Sequence, residues 1–488
     1  MAPSDQRQHR NGQPEARVDR PPAWVKDAVF YQIFPDRFAK SERVAKPSNL
    51  HDWNAPPTIH GYKGGDLLGI VEHLDYLSDL GINAIYLNPV FLSGSNHRYH
   101  TDDFFRADPL LGGNEALDEL IDACHDRGIR VVLDGVFNHV GRGFHQFHDI
   151  LENGAESPYL DWFTIDRLPL NAYGRGRANY EAWWDLKALP RLNNENPAVR
   201  EHVMQVAEHW LRRGIDGWRL DVPEEITVDG FWEEFRRRVR AINPEAYIVG
   251  EIWHDAGEYL NDGTRFDATM NYVLTVSILS FVAGDHIDED ELVRNDEYKT
   301  VEPIDAPGYA KRIKRLLAMY RPETHQANLN LIESHDTVRF ITTASGDRDS
   351  LILATLLTMT FPGAPCVYYG SEVGLTGSKD PDCRRGFPWD ESTWDITLLE
   401  THRSLIALRH AHPALRSPGY REVSALGDLY VFERFDEQER LLIAVNTGDT
   451  TATARIREGE RELLWGRADA TGDSITLLPR SGAVWQTT

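Results

Sequence analysis

Four apolar runs of the chain end in polar residues of types that can do chemistry: DGVFNH (134–139), WRLDV (218–222), GEIW (250–253) and ESHDT (333–337). Side chains alternate along an extended segment, so Arg219 and Asp221 share one face while Trp218 and Leu220 take the other. A guanidinium beside Asp221 is expected to lower its pKa and hold it ionised, which suits a nucleophile. Glu251 stands beside Ile252 and Trp253, where partial desolvation is expected to raise its pKa and keep it protonated near neutrality, as a general acid must be. One carboxylate that attacks and one that protonates a leaving oxygen meet the requirement of a glycosidase working with retention. A structural ion pair would account for Arg219 and Asp221 alone. It does not account for polar residues at four run ends together.

These residues need a scaffold that brings the ends of several strands to one place. After a polar, Pro-rich stretch of about twenty residues that reads as a disordered leader (1–23), strand-like runs alternate with amphipathic stretches. The strand candidates are 28–34, 82–90, 129–137, 214–222, 246–253, 265–272, 328–334 and 364–370. Helix patterns separate them, among them 116–128, 199–214, 231–242, 309–320 and 350–361, and a last one spans 398–412. Eight strand–helix units predict an α/β fold, a (β/α)8 TIM barrel over 24–412, whose chemistry gathers at the C-terminal ends of its strands. The connection after the third strand is too long for such a unit, and 140–190 is expected to form an inserted subdomain. From 413 to 488 short alternating strands predict a C-terminal antiparallel β-sandwich.

Composition excludes several functions. The chain has 488 residues, with Lys+Arg 52 against Asp+Glu 76 and a formal net charge of −24. That balance repels phosphate backbones and offers no footprint for nucleic acid. No uncharged run is long enough to cross a bilayer, and the N-terminal stretch lacks the apolar core of a signal peptide. Cys124, Cys366 and Cys383 are odd in number and scattered, unlike a disulfide framework, which points to a reducing, cytoplasmic location.

With those four segments the chain resembles the alpha-amylase family, glycoside hydrolase family 13, from about Ala28 to Leu415. The resemblance implies Asp221 as nucleophile, Glu251 as general acid/base and Asp336 as a third carboxylate that grips substrate hydroxyls. It implies that Arg219 orients the nucleophile, that His139 and His335 bind hydroxyls of the sugar being cleaved, and that Asp134 and Asn138 support them, with Trp253 also in the substrate site. HRYHTDDF (97–104), LPRLN (189–193), FDATMNY (266–272) and YYGSEVGLTG (368–377) look most like the cyclomaltodextrinase, neopullulanase and maltogenic amylase group. In that group Tyr99 would stack on the ring at the cleavage site. The implied activity is hydrolysis of α-1,4-glucosidic bonds in short malto-oligosaccharides or cyclodextrins, by a monomer or homodimer acting on small neutral glucans, without an organic cofactor. An exo-acting α-glucosidase or a transglycosylase would use the same residues, and a non-catalytic sugar-binding relative would keep the same fold.

The chain departs from the group in three places. Its N-terminal β-domain is missing from this sequence. The segment PDRFAKSERVAKPSN lacks the Asn-Gly-Asp run that begins a calcium site in many relatives, leaving Glu42 and Asp66 as poor substitutes, so calcium is not expected. After Asp221 stand Pro223, Glu224 and Glu225 where Ala-Asn-Glu is common.

Other constellations read more plainly. His97, His100, His139, His145 and His148 could suggest a metallohydrolase, but no paired His marks the first strand. GYKGGDLLG (61–69) reads as a helix entry with Asp66 near its start, not as a phosphate cradle. Trp183, Trp184 and Trp389 are candidate sugar platforms, with packing an equal alternative for each.

Overall fold

The computed structural model describes residues 19–294 and 300–487. Eight short parallel strands form one sheet: β1 (Phe30–Ile33), β2 (Ala84–Leu87), β3 (Arg130–Gly135), β4 (Gly217–Leu220), β5 (Tyr247–Gly250), β6 (Ala268–Thr269), β7 (Leu329–Asn330) and β8 (Ala364–Tyr368). Consecutive strands pair from β1 to β6, β8 pairs with both β1 and β7, and a parallel bridge between Met270 and Leu329 closes the ring. Strands buried on both faces explain the continuous apolar runs of the sequence. One set of side chains, including Phe30, Tyr86, Val132, Tyr247, Leu329 and Cys366, fills the interior; the other packs under the helices.

The helices begin and end where the sequence supplies the chemistry. In Pro197–Arg212 the Asn196 side chain accepts a hydrogen bond from the Ala198 N–H, Pro197 needs no hydrogen-bond partner in the first turn, and Val199, Val203, Val206 and Trp210 form the buried stripe. Asp66 likewise caps Leu67–Glu72 by accepting from the Gly69 N–H at 2.7 Å, the helix entry expected of GYKGGDLLG.

The seam between β6 and β7 is held differently from the others. Each strand contributes two residues, and asparagine side chains supply rungs that a longer backbone ladder would provide. Asn271 Nδ2 donates to Asn330 Oδ1 at 2.8 Å, the Thr269 N–H donates to Asn328 Oδ1 at 3.1 Å, and Asn330 Nδ2 donates to the Pro362 carbonyl at 2.9 Å.

The long connection after β3 contains a helix, His145–Asn153, and two isolated antiparallel bridges, Ile165 with Tyr180 and Ala182 with Pro190. Its return is tied to the barrel by a bridge between His139 and Arg191, and Arg191 Nη2 donates to the Glu225 carbonyl at 3.0 Å. Beyond the last barrel helix, Ile396–Ala411, a five-stranded and a three-stranded antiparallel sheet enclose Leu429, Val431, Ala444, Ile475, Leu477 and Trp485. Most of the expected leader lies outside the described residues; Asp19 is already paired with Arg236 of the barrel at 2.8 Å.

The loop after β1, where relatives of this kind begin a calcium site, does not fit a hard divalent cation. Glu42 is exposed, and the buried Asp66 carboxylate carries the Lys46 ammonium at 2.7 Å. Lys46 Nζ also donates to the Leu110 carbonyl at 3.1 Å. Lys63 Nζ donates to three carbonyls of the same loop, those of Asp52 (2.7 Å), Trp53 (2.9 Å) and Ala55 (2.6 Å). Backbone oxygens and a carboxylate are the ligands calcium takes, and here ammonium protons satisfy them. Two outcomes are expected. Chelator or added calcium leaves the urea midpoint of the wild-type protein unchanged, and Lys63→Met lowers stability by about 2–4 kcal/mol because it strands three carbonyls. A calcium-dependent rise in the wild-type midpoint would contradict this account of the loop.

Candidate active site

The parallel register sets the centre of the site. Asp134 of β3 is the direct neighbour of Arg219 of β4, and Leu220 of β4 is the neighbour of Gly250 of β5. The ladder continues one residue past the strands: the Asp221 N–H donates to the Gly135 carbonyl at 3.1 Å and the Glu251 N–H to the Leu220 carbonyl at 2.9 Å. Asp134, Arg219, Asp221 and Glu251 are therefore brought together at one end of the barrel, all buried.

One guanidinium serves three carboxylates. Arg219 Nη1 lies 2.8 and 3.0 Å from the two Asp134 oxygens and 3.0 Å from Asp221 Oδ1, and Nη2 lies 2.7 Å from Glu251 Oε1. This corrects the expectation that Arg219 alone would hold Asp221 at a low pKa. Burial pushes Asp221 well above the ordinary carboxylate range, Arg219 opposes that, and the charge of Glu251 adds to the rise. Burial also pushes Glu251 up, to about 7, with Arg219 again opposing, as the setting beside Ile252 and Trp253 predicts. Burial thus raises both carboxyl groups against the same guanidinium. The backbone takes part as well: Val222 sits in the left-handed region (φ 35°), costly for a β-branched residue, and its N–H points at Glu251 Oε2 at 3.3 Å.

Asp336 has a different environment. His335 Nε2 lies 3.0 Å from its Oδ2, and Arg384 Nη2 donates to its Oδ1 at 3.1 Å. Although burial raises its pKa, His335 and Arg384 outweigh it, so Asp336 stays below the ordinary range and ionised. The Gln32 amide faces His335 Nδ1 at 3.0 Å, an arrangement in which Nδ1 accepts and Nε2 carries the proton. Tyr99 lies beside this imidazole, its hydroxyl 2.6 Å from Nε2, and donates to Asp134 Oδ2 at 2.9 Å. Asn88 donates to the same hydroxyl at 3.0 Å, so the half-buried Tyr99 ring is fixed parallel to His335.

His139 is held neutral by burial, its pKa lowered to about 3. Asn138 Nδ2 lies 3.3 Å from His139 Nδ1, and His139 Nε2 is buried with no hydrogen-bond partner among the described residues. The imidazole also has a hydrogen bond to the backbone of Tyr99. Asn138 thus acts on the imidazole. Trp253 stacks on Tyr272 with ring centroids 3.5 Å apart, and the Tyr272 hydroxyl donates to Ser334 Oγ.

Two of the sequence candidates turn out otherwise. Trp389 is no sugar platform: its Nε1 donates to the Phe38 carbonyl at 2.6 Å and its ring packs against Phe38, His73 and Phe387. The residues of the metallohydrolase reading form no cage, for among the described residues no group of three or more His, Cys, Asp or Glu could hold a metal. His148 instead faces Glu152 on the exposed side of its helix.

Sequence reasoning missed Arg384 and Asp380. Arg384 grips Asp336, donates to the His335 carbonyl at 2.8 Å and is held by Asp380 at 2.8 Å. The available signal was the doubled arginine of DCRRGFPWD, next to the tryptophan and cysteine that drew attention. Gln32, Asn88 and Tyr86, which brace His335, Tyr99 and Asp134, were missed as well.

Comparison with known proteins agrees with this geometry. Residues 32–418 match the alpha amylase catalytic domain, and 418–485 match a domain of unknown function, DUF3459. A cyclomaltodextrinase of Bacillus sp. is 42% identical over 91% of this chain and 76% of its own. The crystal structure of a debranching enzyme from Nostoc punctiforme superposes with a TM-score of 0.89 at 51% identity, over 96% of this chain and all of that one. A cyclic alpha-maltosyl-(1→6)-maltose hydrolase from Arthrobacter globiformis does so with a TM-score of 0.86 at 38% identity, over 96% and 100%. A parallel eight-stranded barrel carrying these strand ends, matched along most of its length by such relatives, belongs to the alpha-amylase family of glycosidases.

Proposed function

We propose that the protein hydrolyses α-1,4-glucosidic bonds in short malto-oligosaccharides or cyclodextrins with net retention of configuration, through a covalent glucosyl-enzyme. The observation that carries the reading is the single Arg219 guanidinium joining Asp134, Asp221 and Glu251 at the barrel mouth, opposite an ionised Asp336. Asp221 receives a directed Arg219 N–H, whereas the directed donor to Glu251 is the Val222 N–H at 3.3 Å. In this mechanism Asp221 works ionised and Glu251 carries the proton. Asp221 attacks the anomeric carbon as Glu251 gives that proton to the departing oxygen; Glu251 then takes a proton from water, which opens the glucosyl ester. Asp336, His335 and the free Nε2 of His139 bind hydroxyls of the sugar being cleaved, and the fixed ring of Tyr99 offers it an aromatic face. Three buried, unpaired thiols suit action in a reducing cytoplasm.

A second reading is hydrolysis of α-1,6 bonds. It is favoured by two solved structures that this chain covers end to end, one titled a debranching enzyme and the other a hydrolase of a cyclic maltosyl-(1→6)-maltose. The cyclomaltodextrinase relative extends beyond the match by about a quarter of its length. Turnover of maltotriose and cyclodextrin against isomaltose, with panose (α-1,4 cleavage) distinguished from maltotriose (α-1,6 cleavage) among the products of pullulan, separates the two. Cleavage confined to isomaltose and to the maltotriose-releasing bonds of pullulan would replace the α-1,4 assignment.

Asp221→Asn and Glu251→Gln are each expected to lower kcat on maltotriose by at least about 10³-fold with the melting temperature retained. Near-normal turnover in either variant would remove it from the chemistry. Because Glu251 must be protonated to act and its pKa is about 7, kcat/KM is expected to fall as pH rises through about 7. A profile flat to pH 9 would assign the acid role elsewhere.

A further inference from the structure

We propose that Trp184 is the outer step of a glucan platform that starts at His139 and leads along the inserted subdomain, so that glucans longer than the cleaved bond requires gain affinity there. The proposal rests on the glucan reading above and adds to it a site for chain length.

Three rings lie nearly parallel. Trp183 stacks on His139 with centroids 4.9 Å apart and planes 12° apart, and Trp184 stacks on Trp183 at 4.4 Å and 12°. His139 belongs to the catalytic centre, so the ladder is continuous with it. The outer ring is open: Trp184 is 71% exposed, one of the most exposed large apolar side chains among the described residues.

Neighbouring residues do not ordinarily stack, because successive side chains of an extended segment point to opposite faces. Here the backbone turns to allow it, with Trp184 (φ 51°) and Asp185 (φ 58°) both in the left-handed region. For residues other than glycine that conformation is unfavourable. The turn is nonetheless fastened: the Trp183 N–H donates to the Leu189 carbonyl at 2.9 Å, Leu186 N–H to Trp183 at 2.9 Å, and Asp185 N–H to Ala182 at 3.2 Å. Core packing does not explain a strained turn whose ring faces solvent.

The chemistry around the ring suits a sugar. A pyranose has C–H faces that stack on an aromatic plane and equatorial hydroxyls that need polar partners at its rim. Exposed Glu181 and Asp185, the latter paired with Arg177 at 2.6 Å, stand next to Trp184 in the same turn.

The test compares wild type, Trp184→Ala and Trp184→Phe on maltotriose and maltoheptaose, and titrates the same three forms in an Asp221→Asn background with maltoheptaose by calorimetry. Trp184→Ala is expected to raise KM and Kd for maltoheptaose about fivefold, the worth of one aromatic stacking contact, with kcat kept and maltotriose changed less than twofold. Trp184→Phe is expected to recover most of the loss. Equal effects on both lengths, or none on either, would overturn the platform. If wild type hydrolyses neither sugar while Trp184→Ala still weakens maltoheptaose binding, the α-1,4 hydrolase reading fails and the platform stands; unchanged maltoheptaose binding overturns the platform whatever the turnover.

Discussion

The Arg219 guanidinium is the interaction on which the rest of the site depends. It is wholly buried, and it faces Asp134, Asp221 and Glu251 within hydrogen-bonding distance. Taking any one of these ions out of water costs several kcal/mol, and a single cation cannot neutralise three anions. The deficit is the useful property. Burial and competition for one guanidinium raise Asp221 and Glu251 together, and a raised Glu251 is what a proton donor beside a nucleophile requires.

The second charge centre is built on the same principle with the opposite balance. Asp336 is held by both His335 and Arg384, so it remains ionised despite burial. Arg384 is in turn shared with Asp380, and His335 is oriented by Gln32 of a region far away in sequence. The two centres meet through Tyr99, whose hydroxyl touches both Asp134 and His335. Side chains of the first four strands and from beyond the ends of β5 and β7 thus converge on one network; among the described residues Gln32 Oε1, Arg219 Nη2 and His139 Nε2 are its atoms without a hydrogen-bond partner.

What the sequence made legible follows from periodicity. Alternation along an extended run puts Arg219 and Asp221 on one face, and barrel topology puts the ends of the third, fourth, fifth and seventh strands together, so Asp221 and Glu251 could be named from residue types and surroundings, while Asp134 and Asp336 took their roles from the family resemblance. Contacts that cross between loops have no period. Arg384 reaching Asp336, Lys63 holding three carbonyls and Asn88 bracing Tyr99 depend on loop paths that no local pattern encodes. The pKa of Asp221 was misjudged for a related reason: sequence shows the neighbouring arginine but neither the depth of burial nor the other carboxylates competing for it.

The barrel is a split ring clasped by amides. Seven of its eight joints are backbone ladders, but β6 and β7 meet through one bridge and the side chains of Asn271, Asn328 and Asn330. Glu251 follows β5 on one side of that clasp and Asp336 follows β7 on the other. The spacing between proton donor and third carboxylate is therefore set by side-chain hydrogen bonds, which can lengthen or re-pair without unzipping a strand. On the side of β3 and β4 the strand register itself places Asp134 beside Arg219, and with it the nucleophile.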